Sequence, residues 1–184
     1  MAPFPAPTAR LRFREFRPDD FAAVHAYAAS PEVTRYTSFG PNTEAETRAF
    51  LARTAAAVTA SPRVSWTFAM EHAESGALVG GCGLELADPE GPAFSLGYVL
   101  APEWWGQGYA TEAAGALLRF GFEALAAERL FALVFVGNEA SERVLRKAGL
   151  GYESEATQGI LKGGTWHAVR VYAMRRKAWQ EGEK

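Results

Sequence analysis

The chain has 184 residues, with 48% hydrophobic and 22% charged side chains, and 19 basic against 21 acidic groups give a formal net charge of -2. These values fit one soluble globular domain with a sizeable core and argue against nucleic-acid binding driven by the whole surface. No apolar run reaches the length of a membrane span, and the only cysteine, Cys82, excludes an internal disulfide, so the cytoplasm is the expected address.

Met1 to Thr8 is proline-rich and lacks a basic n-region and a long apolar h-region, so it reads as a loose tail and not as a signal peptide. Leu11, Phe13 and Phe16, interleaved with Arg12, Arg14 and Glu15, predict a half-buried first strand. Pro18-Asp19-Asp20 opens a helix through Phe21, Val24 and Tyr27, with acids at its positive end. "SPEVTRYTSFGP" is a loop or broken helix, and a second helix is expected from Thr43 to Ala60. Val64, Trp66, Phe68 and Met70 alternate as a strand does, Glu74-Ser75-Gly76 has hairpin-turn chemistry, and Leu78 to Leu86 returns.

After "DPEGP", Phe94 to Leu100 makes the next strand, followed by a glycine-containing loop and a helix from Gly108 to Leu125. Leu130 to Val136 is a continuous apolar run of the kind buried on both faces. Asn138 begins another helix ending near Gly149, and strands at Tyr152 to Ile160 and Trp166 to Met174 finish the fold. The order is antiparallel hairpins first, then strand, helix, strand, helix. The unit from Phe94 to Val136 should therefore be a crossover between parallel strands, which puts the glycine loop at a strand's carboxyl end, where α/β proteins bind ligands.

That loop, "YVLAPEWWGQGYATEA" (Tyr98 to Ala113), admits several readings. Gly106 and Gly108 free the main-chain N–H groups for close approach, and the following helix adds unpaired donors, which together suit a phosphate. A plain helix-entry turn has the same composition. A dinucleotide fingerprint fits poorly, because its third glycine position holds Thr111 and no acid ends the next strand; no Gly-Lys-Ser/Thr follows for a nucleoside-triphosphate loop. Cys82, among Gly80, Gly81 and Gly83, reads as a small buried thiol. His25, His72 and His167 are scattered and lack the paired spacing of a zinc site, so no metal is expected.

Tyr98-x-Leu100-x-Pro102-Glu103-x-Trp105-Gly106-Gln107-Gly108-Tyr109-Ala110-Thr111-Glu112-Ala113 resembles the acyl-CoA loop of the GNAT N-acetyltransferases, nearest to the branch that acetylates the N-termini of ribosomal proteins. "NEASERVLRKAGLGYE", Asn138 to Glu153, is similar to that branch's second block, and the stretch "LRFREFRPDDFAAVHAYAASPEVTRY" and the late "W-H-x-x-x-x-Y" agree with it. The resemblance spans Ala9 to Trp179, which implies one N-acetyltransferase domain over 9–179 between tails at 1–8 and 180–184. It implies an α+β fold: a single mixed, mostly antiparallel sheet, with a central splayed parallel strand pair and flanking helices.

The same resemblance implies acetyl-CoA as co-substrate. Main-chain groups of Val99 and Leu100 would pair with the pantetheine arm, a backbone N–H near Leu100 would face the thioester oxygen, and the N–H groups of Trp105, Gly106, Gln107, Gly108, Tyr109 and Ala110 would hold the pyrophosphate. Glu103 stands where the wider family often has Gln or Arg, a difference of little weight if backbone atoms make the contact. Asn138 would meet the pantetheine and Ser141 would stand near the sulfur. Asn138 is equally a helix N-cap, with Arg146 and Lys147 in the last turn and Gly149 at C′. Ser141 shares a stripe with Leu145 and Ala148, so it points inward or to the groove edge, where a filler serine would also sit. Trp104 and Trp105 read first as packing residues, with a CoA contact open to Trp105.

The implied reaction is direct attack of an amine on the thioester, with the N–H near Leu100 as oxyanion donor and Ser141 as proton donor; Tyr152 and Tyr172 are weaker candidates. No carboxylate stands out as base, with Glu85 the nearest option. The acceptor pocket is expected from Arg35 to Gly40, strand residues near Trp66 and Phe68, and Leu161 to His167. The branch often has Asp after the late His, where this chain has Ala168. The expected acceptor is a protein or peptide N-terminal amine; a small amine such as a polyamine, amino acid or antibiotic, or a non-catalytic acyl-CoA-binding module, are the alternatives. No nucleic-acid or membrane partner is expected, and a homodimer is common in the family.

Overall fold

The computed structural model describes residues 4–88 and 90–182. One seven-stranded sheet runs through it in the order β1-β2-β3-β4-β5-β7-β6, formed by β1 (Leu11–Glu15), β2 (Ser65–His72), β3 (Leu78–Asp88), β4 (Ala93–Leu100), β5 (Arg129–Phe135), β6 (Gly151–Lys162) and β7 (Thr165–Arg175). Every neighbouring pair is antiparallel except β4 and β5. The helices are α1 (Phe21–Ala28), α2 (Pro31–Thr34), α3 (Glu44–Thr59), α4 (Tyr109–Glu123), α5 (Glu139–Lys147) and α6 (Arg176–Gly182).

Local chemistry sets most of these boundaries. Thr43 accepts from the Glu46 N–H at 3.3 Å and gives its own N–H to the Glu46 carboxylate at 2.7 Å, a reciprocal cap that starts α3 where the sequence places it. At the end of α5, Gly149 (φ +96°) lets its N–H reach Arg146 O and the Leu150 N–H reach Leu145 O, both at 3.0 Å. The predicted first helix breaks at its start: Pro18–Asp20 is a 3-10 turn before α1. The "SPEVT" stretch resolves into the single turn of α2.

The two faces of the sheet are covered unequally. On one, α4 lays Tyr109, Ala113, Leu117 and Phe120 against Phe68, Leu84, Leu96, Leu100, Leu130 and Val134, forming the larger core. On the other, α1 and α3 bring Val24, Tyr27 and Leu51 against Phe16, Ala69 and Val99. This second layer stops at the β1–β4 side. The expectation that Leu130 to Val136 is buried on both faces is therefore corrected: Leu133 is 38% and Val136 41% exposed, while Leu130, Ala132 and Val134 are buried.

Both chain ends are more engaged than the sequence suggests. The Phe4 ring lies 5.8 Å from Phe68, Pro5 is buried, and the Thr8 hydroxyl donates to Glu112 on α4. Of the tails expected at 1–8 and 180–184, residues 1–3 and 183–184 lie outside the described residues. Helix α6, not anticipated, stacks Trp179 on Phe122 at 5.1 Å.

Candidate active site

Strands β4 and β5 pair only through Ala93↔Arg129, Phe94↔Leu130 and Ser95↔Phe131. Beyond Ser95, β4 stays with β3 while β5 continues with β7, so the parallel strands part and leave a wedge-shaped opening. Ala101 donates to Val79 O on β3 at 3.0 Å, so alternation turns the N–H and C=O of Leu100 and Tyr98 toward the opening. The Leu100 carbonyl accepts from the Trp105 indole N–H at 2.9 Å, leaving its N–H as the polar group offered there.

At the mouth of the opening lies the glycine loop. Gly106 (φ +72°) and Gly108 (φ +87°) both adopt left-handed conformations that disfavour a side chain. Space is not the constraint at Gly106, where a Cβ would touch nothing within 4 Å. The loop's carbonyls are tied down by side chains: Gln107 Nε2 donates to Glu103 O at 2.7 Å, and Arg10 Nη1 to Gln107 O at 3.0 Å. Its amides are treated differently. Trp105 gives its N–H to Pro102 O at 3.1 Å, and the Glu112 N–H is the first to close a turn of α4, onto Gly108 O. Between them, among the described residues, the N–H groups of Gly106, Gln107, Gly108, Tyr109 and Ala110 have no main-chain acceptor. The cradle expected from Trp105 to Ala110 thus narrows to Gly106 to Ala110, because the 3-10 turn at Pro102–Trp104 consumes the Trp105 donor.

Unpaired amides at a helix N-terminus are suited to an anion, and the loop that carries them is braced from below. Arg10 bonds Glu112 through Nε at 2.8 Å and Nη2 at 2.7 Å, and its guanidinium lies 4.3 Å from the Tyr109 ring centroid. Tyr109 is 5% exposed, set edge-on to Trp104 at 5.4 Å. Burial pushes the Glu112 carboxyl up, but bonds from Thr8 and from the Arg10 N–H and guanidinium outweigh it and hold it below the usual range. Sequence reasoning missed Arg10 and Glu112, whose pairing joins segments far apart in the chain.

On the far side of the opening, helix α5 follows β5. Asn138 Oδ1 accepts from the Ser141 N–H at 3.2 Å, so its capping role is realised. Ser141 lies on the inner stripe with Leu145, and its hydroxyl meets the Tyr98 phenol at 2.8 Å. Tyr98 belongs to the half of β4 that has left β5, so this bond spans the opening. Burial pushes the Tyr98 phenol up to about 12, against a smaller opposite pull from Ser141. Tyr98 is a third residue that sequence reasoning left without a role. The strand alternation that aims it inward was readable, but its partner was not.

The structure removes one proton-donor candidate. Tyr172 is fully buried, donates to Glu142 at 2.8 Å and accepts from Arg146 at 2.7 Å, so its proton is committed. Tyr152 is 56% exposed and packs edge-on against Tyr172. Cys82 is buried, and burial pushes its thiol up, consistent with a packing role.

The segments expected to line an acceptor pocket meet in part. Tyr36 lies 6.4 Å from Phe135 at the end of β5, and His167 packs on the same ring at 5.4 Å. Arg35 lies 5.0 Å over Tyr36, and Lys162 donates to Thr34 O, with burial pulling its ammonium pKa down. Trp66 and Phe68 do not join them. They face the α4 core, against Phe94 at 5.7 Å and Phe120 at 5.6 Å, because alternation along β2 gives the other face to Ser65 and Thr67. Glu85 is exposed on that other face, level with Ser95, the last β4 residue paired to β5.

Comparison with known proteins agrees with this arrangement. Residues 10–151 match the family model of the acetyltransferase (GNAT) domain. An N-acetyltransferase of Bacillus subtilis, YoaA, is 31% identical over 168 residues, covering 91% of this chain and 94% of its own. Among solved structures, RimL, a ribosomal L7/L12 α-N-protein acetyltransferase in complex with coenzyme A, aligns with a TM-score of 0.80 at 18% identity, over 95% of this chain and 98% of its own. A spermidine N-acetyltransferase from Vibrio cholerae, with CoA and spermine, aligns with a TM-score of 0.79 at 17% identity, over 94% and 99%. At those identities the two structures share the fold. The domain match and the relative establish the rest: the chain belongs to the GNAT family and is an acetyltransferase.

Proposed function

We propose that this enzyme moves an acetyl group from acetyl-CoA to the N-terminal α-amine of a protein or peptide. Acetyl-CoA would supply the acetyl thioester. The amides of Gly106 to Ala110 are suited to its pyrophosphate, and the main-chain groups of Tyr98, with Asn138, to the pantetheine arm, whereas Val99, expected there, turns its own main-chain groups toward β3. The Leu100 N–H donates to the oxygen on which charge develops. Ser141 donates its hydroxyl proton to the departing sulfur as the carbon–sulfur bond breaks, and the proton lost by the new amide nitrogen passes through water to restore the hydroxyl. Asn138 keeps its Nδ2 available, since only Oδ1 serves the helix cap.

The observation that carries the choice of acceptor is the charge of the acceptor rim. Arg35 to Gly40 and Leu161 to His167 contain no carboxylate and contribute Arg35 and Lys162, and Ala168 follows His167. A polycation would meet like charge there. An α-amine ionises at about 7.7–8.0 and a lysine at about 10.4, so freeing a lysine near neutrality costs roughly 3.5 kcal/mol more, at about 1.36 kcal/mol per unit. A site without a dedicated carboxylate base suits the weaker amine.

The test is CoA release with acetyl-CoA and either a pool of short peptides with free N-termini or spermidine. Peptide turnover with spermidine inert is the expected result, followed by loss of acetylated N-termini in cells lacking the gene. Spermidine turnover with inert peptides would overturn the acceptor reading. Tight acetyl-CoA binding with no amine accepted would point to a binding module.

A further inference from the structure

The Tyr98 phenol meets Ser141 across the opening and has no task in the reaction described above. We propose that Tyr98 is a positioning residue for acetyl transfer, donating its hydroxyl proton to Ser141 Oγ so that the Ser141 proton is directed into the opening between β4 and β5. This inference rests on the reading of Ser141 as proton donor.

Two distances and the acidity of the partners bear on the direction of the bond. Tyr98 Oη lies 2.8 Å from Ser141 Oγ and 3.4 Å from the Ser141 main-chain carbonyl. A phenol has one proton, and the approach to Oγ is much the shorter, so that proton goes to Ser141 Oγ and the carbonyl is a secondary contact. A phenol is also a stronger acid than an alkyl hydroxyl, and this one stays protonated through the neutral range because burial holds its pKa near about 12. Were the bond reversed, the serine proton would point at Tyr98 and be lost to the reaction. With Tyr98 donating, Ser141 has its own proton free, and chained hydrogen bonds polarise one another, making it a better donor to sulfur.

The scaffold is built to hold this arrangement. Tyr98 packs against the core beneath α4, between the fully directed neighbours Leu96 and Leu100. The Ser141 N–H is held by Asn138 Oδ1, so the serine enters the bond from a capped turn. Both partners are therefore placed by contacts other than their mutual bond.

The first test uses CoA itself and needs no acceptor. Calorimetric titration of CoA from neutral to alkaline pH reads the ionisation of the bound thiol, whose thiolate form a donor pair favours. Tyr98→Phe should move that ionisation up by about one pH unit, a tenfold loss in thiolate affinity, with CoA affinity at neutral pH unchanged. The second test is turnover of acetyl-CoA with the peptide pool. Tyr98→Phe should lower kcat about tenfold with KM for acetyl-CoA within about twofold, the loss of one oriented hydrogen bond. In a Ser141→Ala background the same change should cost nothing further.

An equal loss of kcat in both backgrounds would make Tyr98 a packing residue and overturn the inference, as would an unmoved thiol ionisation. Full turnover of Tyr98→Phe beside a crippled Ser141→Ala would sink the Tyr98 role while leaving Ser141 in place. Full turnover of Ser141→Ala would overturn the reading of Ser141 and this inference with it.

Discussion

Helices α4 and α5 follow the two strands of the parallel pair, and each begins at the opening between them, yet they handle the same problem in opposite ways. Every helix start has N–H groups without partners in the preceding turn. At α5 the chain supplies its own acceptor, the Asn138 side chain, and so fixes the Ser141 backbone. At α4 the N-cap is Gly108, which has no side chain to offer, and nearby side chains bond the carbonyls of Glu103 and Gln107 instead of the amides. One terminus is closed to hold a hydroxyl still. The other is left open, with its donors unpaired and the Glu103 and Gln107 carbonyls occupied. A helix start with satisfied carbonyls and spared amides is a stronger sign of an anion site than glycine content, because glycine-rich turns occur without ligands.

Breaking the open terminus should have the largest effect. Gly108→Val places a branched side chain at φ +87°, where a Cβ would also sit 3.4 Å from Arg10 Nη2, and should weaken CoA binding by about a hundredfold or more in calorimetry. An unchanged Kd would mean that the amides do not hold the ligand. At the closed terminus, Ser141→Ala should leave CoA affinity within about threefold while lowering kcat about a hundredfold. Equal losses in both would make Ser141 a CoA-positioning residue. Arg10→Ala releases Gln107 O from below the loop and should raise the Kd for CoA about three- to tenfold, the worth of one partly exposed hydrogen bond.

Two smaller changes separate the termini by stability. Asn138→Ala removes a side-chain cap and should cost about 1 kcal/mol in denaturant unfolding. Gly108→Ala removes no cap, so any loss there must come from backbone strain. The α5 start also carries the buried Glu142. Burial pushes its carboxyl up, but bonds from Tyr172 and Arg170 and the nearby Arg146 charge outweigh this and hold it below the ordinary value. A lowered folded pKa means stabilisation that is present above the unfolded value, about 4.3, and lost as pH falls through the folded one. Glu142→Gln should therefore melt several degrees below the parent at neutral pH, with the gap closing in acid; a constant gap would show that ionisation contributes nothing.

The sequence by itself determined the strands, the main helices between them and their order, since these rest on interactions between near neighbours. Thr43 with Glu46, Gly149 after Lys147, and the alternation from Phe94 to Leu100 each act within a few residues, so the strand–helix–strand unit and its glycine loop were legible. The strand–helix–strand order carried the parallel pair, and the motif resemblance its splay. Tertiary structure alone decided which surfaces are covered and which donors are spent. Leu133 looks like core in sequence and is exposed because α1 and α3 end over β4, a matter of layer width that no local pattern encodes. The narrowing of the cradle by Trp105, the Arg10–Glu112 brace and the bond between Tyr98 and Ser141 likewise depend on where distant segments stop relative to one another. Hydrophobic and backbone periodicity are short-range quantities, whereas pairing of polar groups across an opening is fixed only when the whole sheet has assembled around it.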